Sequence, residues 1–455
     1  MCNLYIGINI IKSFFLIKKQ CLLFSFLIVF SSIAKSQSQF NFFGLNQKEQ
    51  SVKFNLINNL IVIPVEVNGK QLSFILDTGV NKTILFNLSQ NDSLDLNDVK
   101  KISLQGLGKG NPMDALISTN NTLKIKNFVG KDQEIYVIIK DEFDVSGRMG
   151  VTIHGIIGYK LFKDAIVHIN YISKRIYFYN PQFYKYNRCR KCQTFPLQFF
   201  RNKPFIDAKI KLDTIGNTLT DVKLLIDTGG SEEIQTPIKH FNDVLGEGIS
   251  GTIYGKKSRI KEVSIGKFRI KNPTASFLDS TTTIYARQFK ERNGSIGGNI
   301  LKRFKIWVDY KNKKIILKKS ASFRGGFEYN MSGLDVIYNG KILIKEIKVT
   351  NFPNVNSINS SSGFITSNIV SFISTYSYIF RPSYKVKHVL ENSPAGLAGI
   401  QKGDIILSIN GIKVHKLTLK QLLGKFQSGN KRKIIMIVER LGAKMKFQFR
   451  LIKKI

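Results

Sequence analysis

The stretch FILDTGVNKT (Phe74–Thr83) places one carboxylate, Asp77, directly after three apolar residues. A buried acid with no cation beside it is costly, so this arrangement predicts a second carboxylate that shares its proton. A second copy of the motif, LLIDTGGSEE (Leu224–Glu233), supplies Asp227 at an offset of 150 (227 − 77 = 150). The two motifs together predict one site built from both halves of the chain.

A longer pair of segments repeats nearly the same spacing. GIIGYKLFKDAIVHINYISKRIYFY begins at Gly155, and GSIGGNILKRFKIWVDYKNKKIILK begins at Gly294, an offset of 139 (294 − 155 = 139). The two segments align without a gap, and the identical pairs are Gly155/Gly294, Ile157/Ile296, Gly158/Gly297, Lys163/Lys302, Tyr171/Tyr310, Lys174/Lys313 and Ile176/Ile315. Two motifs that recur in the same order at nearly the same offset predict an internal duplication.

Each copy contains the parts of a half-site. The apolar run before each aspartate predicts a buried strand that brings the carboxylate to the surface of its lobe. Thr78 and Thr228 can hydrogen-bond to each other across the junction, and Gly79 and Gly229 let the partner backbone come close.

A glycine-rich stretch lies between the aspartate and the G-x-I-G element of each copy. Such hairpin tips are typical of mobile flaps over a cleft, although an ordinary surface hairpin has the same composition. The candidate flap residues are Gly106, Gly108, Gly251 and Tyr254.

A third unit begins near Phe323. It opens with SGLDV (Ser332–Val336), and the block YKVKHVLENSPAGLAGIQKGDIILSINGIKVHKLTLKQLL follows at Tyr384–Leu423. The block alternates apolar runs with Gly-Asp and Asn-Gly turns, which predicts a mixture of strands and short helices. Between the two, the Asn- and Ser-rich start of Thr350–Ser383 predicts a long loop.

Length and composition limit the class of protein. A chain of 455 residues, of which 43% are hydrophobic and 11% aromatic, predicts two or three domains with real cores. The net charge of +38 is dispersed along the chain, and no nucleic-acid motif or stripe of arginine and aromatic residues accompanies it. We therefore expect the charge to confer solubility, and we expect no nucleic-acid partner.

The first 36 residues have the pattern of an export signal. Lys18 and Lys19 precede the apolar run CLLFSFLIVFSSIA (Cys21–Ala34), and small residues follow. The run is short for a membrane span, so we expect a signal peptide over residues 1–36 and a protein of the periplasm or the cell exterior. An uncleaved signal that tethers the protein to the membrane is the alternative.

Two cysteines remain after that signal, Cys189 and Cys192, in the tetrapeptide CRKC. In an exported chain, one local disulfide is the simplest interpretation. A zinc site would need two further ligands, and no matching Cys or His pair is evident. A redox centre usually lies where a strand meets a helix, whereas this motif lies in a connector rich in Tyr, Lys and Arg, which favours a structural staple.

The doubled ILDTG and LIDTG motifs with their G-x-I-G partners resemble the retropepsin-like aspartic peptidases, and two such lobes in one chain resemble the pepsin arrangement. SGLDV with ENSPAGLAGIQKGDIILSINGIKV is similar to a PDZ domain of the bacterial type. The whole order resembles exported bacterial aspartyl proteases with a C-terminal PDZ domain.

This resemblance implies a mainly β fold, with two pseudo-symmetric acid-protease (retropepsin-like) β-barrel lobes followed by a PDZ-like β/α domain. The expected ranges are 1–36 for the signal, 50–182 for lobe 1, 183–195 for the connector, 196–320 for lobe 2 and 323–455 for the PDZ-like domain with an insertion at about 350–383.

The resemblance further implies hydrolysis of polypeptide substrates by a water molecule held between Asp77 and Asp227, with no covalent intermediate. It implies no cofactor and no metal, and catalysis would require no oligomer. Val80 and Gly230 stand where pepsin-type sites carry a hydroxyl donor to the carboxylate. We therefore expect a pH optimum less acidic than that of pepsin.

The PDZ resemblance implies a site for peptide C-termini. The backbone amides at Gly333 and Leu334 are the expected groups that bind the terminal carboxylate, and the ligand would add as a strand. Docking onto the chain's own protease lobes is the alternative role for such a domain.

Two other classes of function compete with a protease. A noncatalytic peptide-binding scaffold on a degenerate protease fold would behave the same after Asp77→Asn or Asp227→Asn, but both Asp-Thr-Gly triplets are intact. A zinc or serine hydrolase is disfavoured because the five histidines form no HExxH pair and no G-x-S-x-G is present. We interpret His168 as a core residue that faces Trp307.

Overall fold

The computed structural model describes residues 38–44, 47–88, 94–104, 113–138, 145–212, 218–230, 233–234, 240–248, 251–278, 289, 291–354 and 369–455. The chain divides into two compact units, Met1–Gln39 and Phe40–Ile455, and every element named below belongs to the second. The expected signal peptide and the glycines Gly106 and Gly108 lie outside the described residues. Among the helices in those ranges, none has the length and apolar content of a membrane span.

The first lobe consists of one sheet, three strands that belong to a second sheet, and two short helices. Its strands are β1 (Phe40–Phe42), β2 (Glu49–Lys53), β3 (Asn55–Ile57), β4 (Leu60–Val67), β5 (Lys70–Leu76), β6 (Thr83–Leu85), β7 (Lys100–Leu104), β8 (Met113–Ile125), β9 (Phe128–Ile138), β10 (Gly155–Ile157), β11 (Ile166–Asn170) and β12 (Arg175–Tyr179). Its helices are α1 (Val145–Met149) and α2 (Tyr159–Lys163). The strand order in the sheet is β1-β9-β6-β10-β5-β4-β8-β7, and β3 pairs with β4.

A hairpin of β4 and β5 precedes Asp77. Asn68 and Gly69 both have positive φ and form the turn between β4 and β5, because a two-residue hairpin needs that backbone. The last residues of β5, 74–76, are all buried, and so are residues 224–226 before the second aspartate. Strands covered on both faces have such continuous apolar runs.

The second lobe repeats the plan. Its strands are β13 (Cys192–Pro196), β14 (Gln198–Phe200), β15 (Lys203–Lys211), β16 (Thr220–Ile226), β17 (Glu233–Ile234), β18 (His240–Gly248), β19 (Gly251–Arg259), β20 (Glu262–Ile265), β21 (Phe268–Lys271), β22 (Thr274–Leu278), β23 (Arg292–Ile296), β24 (Phe304–Asp309) and β25 (Lys314–Lys319), with helix α3 (Gly298–Leu301). In each lobe the G-x-I-G strand inserts beside the aspartate strand: β10 is parallel to β5 and antiparallel to β6, and β23 is parallel to β16 and antiparallel to β17.

A central sheet of order β13-β25-β24-β11-β12-β2 joins the two lobes. At its centre β11 and β24 run antiparallel, and His168 pairs with Trp307. These two residues are 139 apart (307 − 168 = 139), the offset of the duplication, so the local two-fold axis passes between them. Their rings stack with centroids 4.1 Å apart, and one apolar cluster continues through both lobes.

The C-terminal domain has its own apolar core. Its strands are β26 (Leu334–Asn354), β27 (Ile369–Val389), β28 (Ile405–Ile409), β29 (Ile412–Lys413), β30 (Lys433–Arg440) and β31 (Ala443–Arg450), and its helices are α4 (Pro394–Leu397) and α5 (Leu419–Lys425). The strand order is β26-β27-β28-β30-β31, and β29 pairs with β28. A capping box of Thr418 and Gln421 starts α5.

A long loop was expected at the start of Thr350–Ser383, and the structure describes residues 350–354 and 369–383 of this range as strand. β26 and β27 pair antiparallel from Leu334 opposite Val389 to Asn354 opposite Ile369, and residues 355–368 lie outside the described ranges. The loop prediction is therefore wrong for residues 350–354, whose backbone groups pair across the hairpin, and most of the Asn- and Ser-rich segment lies outside the described residues.

Candidate active site

Each aspartate follows a buried strand and is held by the inserted strand beside it. The backbone N–H of Asp77 donates to the carbonyl of Ile157 at 2.9 Å, and that of Asp227 donates to the carbonyl of Ile296 at 3.1 Å. Both acceptors belong to the paired G-x-I-G segments. The duplicated segments therefore fix the backbone position of each aspartate.

Two buried threonines join the half-sites. The N–H of Thr78 donates to Thr228 Oγ1 at 3.0 Å, and the N–H of Thr228 donates to Thr78 Oγ1 at 3.1 Å. Each hydroxyl then donates across the junction, Thr78 to the Ile226 carbonyl at 2.7 Å and Thr228 to the Leu76 carbonyl at 2.8 Å. All polar groups in this network have partners, so it holds the two aspartate strands in a defined relation.

The carboxyl groups of Asp77 and Asp227 hydrogen-bond to each other. Each also accepts a backbone N–H two residues on: Gly79 donates to Asp77 Oδ1 at 2.7 Å, and Gly229 donates to Asp227 Oδ1 at 3.1 Å. A Cβ on Gly229 would lie 2.2 Å from Asp77 Cγ, and one on Gly79 would lie 3.0 Å from Asp227 Oδ1. Each glycine thus makes room for the carboxyl of the other lobe.

The environment favours a shared proton. Burial is the largest cause that raises the pKa of Asp77 well above its ordinary value, and the negative charge of Asp227 raises it further. The Gly79 amide and the positive charge of Lys203 lower that pKa in part. The pair therefore keeps a proton at pH values where an isolated aspartate has lost it.

Lys203, the first residue of β15, is a residue that the sequence analysis missed. Burial and the charge of Arg292 lower its pKa, while the negative charges of Asp227 and Asp77 raise it. A half-buried ammonium group thus acts electrostatically on both carboxyls. The signal in the sequence was a cation at the start of the second hairpin, where the first hairpin has Leu60, but the different turn lengths obscure that alignment.

Tyr310 is a second residue near the pair. It is buried, its ring stacks on Phe162 at 5.4 Å, and its hydroxyl has no hydrogen-bond partner among the described residues. Burial raises its pKa, and the charge of Asp77 adds to that effect. Its counterpart in the duplication, Tyr171, is likewise buried with no partner for its hydroxyl within the described ranges.

The candidate flaps are described only in part. In lobe 1 the stem of the hairpin is present, with Leu104 opposite Met113, and the tip with Gly106 and Gly108 lies outside the described residues. In lobe 2, Gly251 begins β19. Tyr254 on the same strand is exposed, and its ring meets that of His388 in the C-terminal domain with centroids 6.1 Å apart.

The predicted carboxylate-binding loop lies at the start of β26. Gly333 has φ +82°, and a Cβ there would lie 2.1 Å from Ser393 Cβ, so the turn requires glycine. The N–H of Leu334 donates to Ser332 Oγ at 3.1 Å. A peptide carboxylate would therefore have to replace this hydroxyl as the acceptor.

The connector between the lobes contains a disulfide and borders a cavity. Cys189 and Cys192 form the disulfide. The cavity, of 860 Å³, is lined by connector residues and by His168 and Trp307 of the central sheet, and none of the candidate aspartates, flap residues or C-terminal-domain residues lines it. It is therefore distinct from the expected substrate cleft.

Two sequence families match this chain. Residues 63–161 match the aspartyl protease family, and residues 385–440 match the PDZ domain family. The chain contains an aspartyl protease domain and a PDZ domain. These matches confirm the resemblance of both domains and agree with the mainly β fold.

Among solved structures, the crystal structure of the aspartic proteinase from Irpex lacteus matches with a TM-score of 0.39 and 14% sequence identity, over 61% of this chain and 99% of that one. No curated protein matches the sequence.

Proposed function

We propose that the chain is an aspartic endopeptidase that hydrolyses polypeptides with a water molecule activated between Asp77 and Asp227. The observation that supports this is the closed threonine network, which brings the two carboxyls to hydrogen-bond distance where the lobes meet. Two adjacent buried carboxyls destabilise a fold, and a protein that only binds peptides has no use for them.

The proposed reaction uses one proton shared by the pair. Asp77, whose pKa is raised, holds the proton and donates a hydrogen bond to the scissile carbonyl oxygen. Asp227 takes a proton from the water as its oxygen attacks the carbonyl carbon. The tetrahedral intermediate then breaks its C–N bond, a proton passes to the leaving amine, and the pair again holds a single proton.

The PDZ domain would bind the C-terminal residues of a polypeptide, because its strand β26 is an edge to which a ligand strand can add. Residues 1–36 would direct export to the periplasm or the cell exterior.

Cleavage of a peptide library, with and without pepstatin, tests the proposed activity. We expect Asp77→Asn and Asp227→Asn each to lower the cleavage rate by about 10²–10⁴-fold, the usual contribution of a general acid or base. Asp221→Asn is the matched control, because this carboxylate lies on β16, the strand that ends just before Asp227, and is 81% exposed. Full activity in either dyad variant would overturn the proposal, and peptide binding without any cleavage would favour the noncatalytic scaffold.

A further inference from the structure

The PDZ domain touches both protease lobes, yet its apolar core is separate from theirs. Contacts with lobe 1 come from the end of α1, and contacts with lobe 2 come from the β18–β19 hairpin. Since no continuous apolar core joins the domain to the lobes within the described residues, its docking can reverse without unfolding either part.

The ligand-binding edge of the domain is the start of β26. Within the described residues β26 pairs in its sheet with β27 alone, so its other edge has no strand partner. Helix α5 packs near this edge, and the Met331 N–H donates to the carbonyl of Phe426 just beyond the helix. A groove between an edge strand and a helix is where a peptide adds by β-augmentation.

A short segment of lobe 1 lies across that strand and that helix. Arg148 Nη1 is 3.0 Å from Asp335 Oδ1 on β26, and both side chains are largely buried, at 17% and 19% exposure. Two residues later, Gly150 has φ +69°, and a Cβ on it would lie 2.9 Å from Leu419 Cβ on α5. Residues 148–150 therefore contact both walls of the groove.

The hydrogen bonding of the Asp335 carboxylate is incomplete within the described residues. Asp335 Oδ2 is buried and has no hydrogen-bond partner in the described parts of the chain. Burial raises the pKa of Asp335 although the positive charge of Arg148 lowers it, so the ion pair does not offset the desolvation of the carboxylate. Opening the groove would return this carboxylate to water, which makes the docked state easy to displace.

The same strand pair of the PDZ domain also meets the hairpin of lobe 2. His388 lies opposite Asp335 in the β26–β27 ladder, and its ring contacts that of Tyr254. The charge of Asp243 on β18 also raises the pKa of Asp335. Movement at the PDZ groove would therefore change the contacts of the β18–β19 hairpin, which is the candidate flap of lobe 2.

We propose that residues 148–150 of lobe 1 act as an internal ligand of the PDZ groove. A polypeptide C-terminus has to displace this segment in order to bind, and the displacement releases the β18–β19 hairpin from the PDZ strands. The inference rests on the proposed peptide-binding role of the PDZ domain, and it links that site to the candidate flap.

Gly150→Val tests the proposal, because the added side chain would press on Leu419 and open the groove. Gly69→Val is the matched control: Gly69 also has positive φ, but a Cβ there meets nothing within 4 Å. Both changes are made in the Asp77→Asn protein, so that a peptide probe is not cleaved. The probe is a pool of random hexapeptides with free C-terminal carboxylates, compared with the same pool amidated.

We expect Gly150→Val to retain about tenfold more of the carboxylate pool than the parent, which corresponds to ~1.4 kcal/mol, and to exchange the amide hydrogens of residues 334–338 faster. Gly69→Val should match the parent in both measurements. Equal retention and equal exchange in Gly150→Val and Gly69→Val would overturn the proposal.

A charge exchange gives a second test should Gly150→Val fail to fold. Arg148→Asp should open the groove by repulsion from Asp335, and the double variant Arg148→Asp/Asp335→Arg should restore parental exchange. Arg175→Asp, elsewhere in lobe 1, is the control. Failure of the double variant to restore closure would contradict the proposal. Neither test measures cleavage, so an inactive enzyme would leave the docking result intact.

Discussion

The two Asp-Thr-Gly junctions share their backbone bonds and differ in their surroundings. In both, a carbonyl of the inserted strand accepts a hydrogen bond from the aspartate N–H, and the threonines exchange hydrogen bonds. The glycine two residues after each aspartate donates to the carboxylate of that aspartate. The spaces around the carboxyls and the charges near them are unequal. The comparison teaches that the duplication preserves what positions the carboxyls, while single side chains decide how they titrate.

The charge difference is clear from the register of the hairpins. Val62 pairs with Ile75, two residues before Asp77, and Phe205 pairs with Leu225, two residues before Asp227. Two residues before Val62, lobe 1 has Leu60, and two residues before Phe205, lobe 2 has Lys203. An apolar residue and an ammonium group thus occupy equivalent positions in the two hairpins.

The largest expected effect comes from filling the narrow space between a glycine of one lobe and the carboxyl of the other. Gly229→Ala would put a Cβ 2.2 Å from Asp77 Cγ, a distance that forces the carboxyls apart. We expect kcat/KM to fall at least ~100-fold, as misplacement by about 1 Å does elsewhere. Gly79→Ala is the matched variant, because its Cβ would lie 3.0 Å from Asp227 Oδ1 and needs only a small shift. Equal loss in both variants would contradict this ranking.

A second, smaller effect sharpens the electrostatic difference. Lys203 lowers the pKa of Asp77, so Lys203→Met should raise it. Asp77 is the proposed proton donor, so the alkaline limb of the pH–rate profile, where this donor loses its proton, should move to higher pH. The control is Lys209→Met on the same strand, whose ammonium group is half exposed and pairs with Asp221. An alkaline limb that stays in place, or moves to lower pH, would show that Lys203 does not act on the pair.

The smallest effect concerns His168 and Trp307 on the two-fold axis. Burial, with the charge of Lys305, lowers the pKa of His168 from 6.5 to about 4. Between pH 4 and pH 6.5, His168 binds a proton in the unfolded chain but not in the folded one. The stability that neutral His168 contributes is therefore complete above pH ~6.5, and the free energy of unfolding decreases as the pH falls toward 4. His168→Phe should reduce that loss in urea unfolding, and Trp307→Phe should leave the slope with pH unchanged. A free energy of unfolding that depends on pH as steeply in His168→Phe as in the parent would show that His168 is not the group responsible.

Much of the candidate site was predictable because its signals are local. A strand, an aspartate, a threonine and a glycine occur within about ten residues, and the second copy confirms that the pattern is not accidental. Glycine positions were informative for the same reason: Gly229 and Gly333 stand where a Cβ would overlap another side chain. The role of the flaps stays a prediction, since the lobe 1 tip lies outside the described residues.

The PDZ domain was recognisable in sequence, whereas its use within the chain was not. Two roles were open, binding of peptide C-termini and docking on the protease lobes. The contact between Arg148 and Asp335, 187 residues apart, places lobe 1 against the edge where a peptide would add. No local pattern predicts such a pair, because each residue alone is an ordinary charged side chain.

By itself, the sequence determined the duplicated aspartate strands, the threonine bridge and the separate PDZ core, since these follow from patterns of apolar residues and turns that are short in sequence. Only the tertiary structure decided that Lys203 lies beside the carboxyls, that Tyr310 is buried near Asp77, and that residues 148–150 meet the PDZ groove. Charge, burial and steric contact between distant residues depend on where the folded chain brings them, and the order of the residues carries no record of those distances.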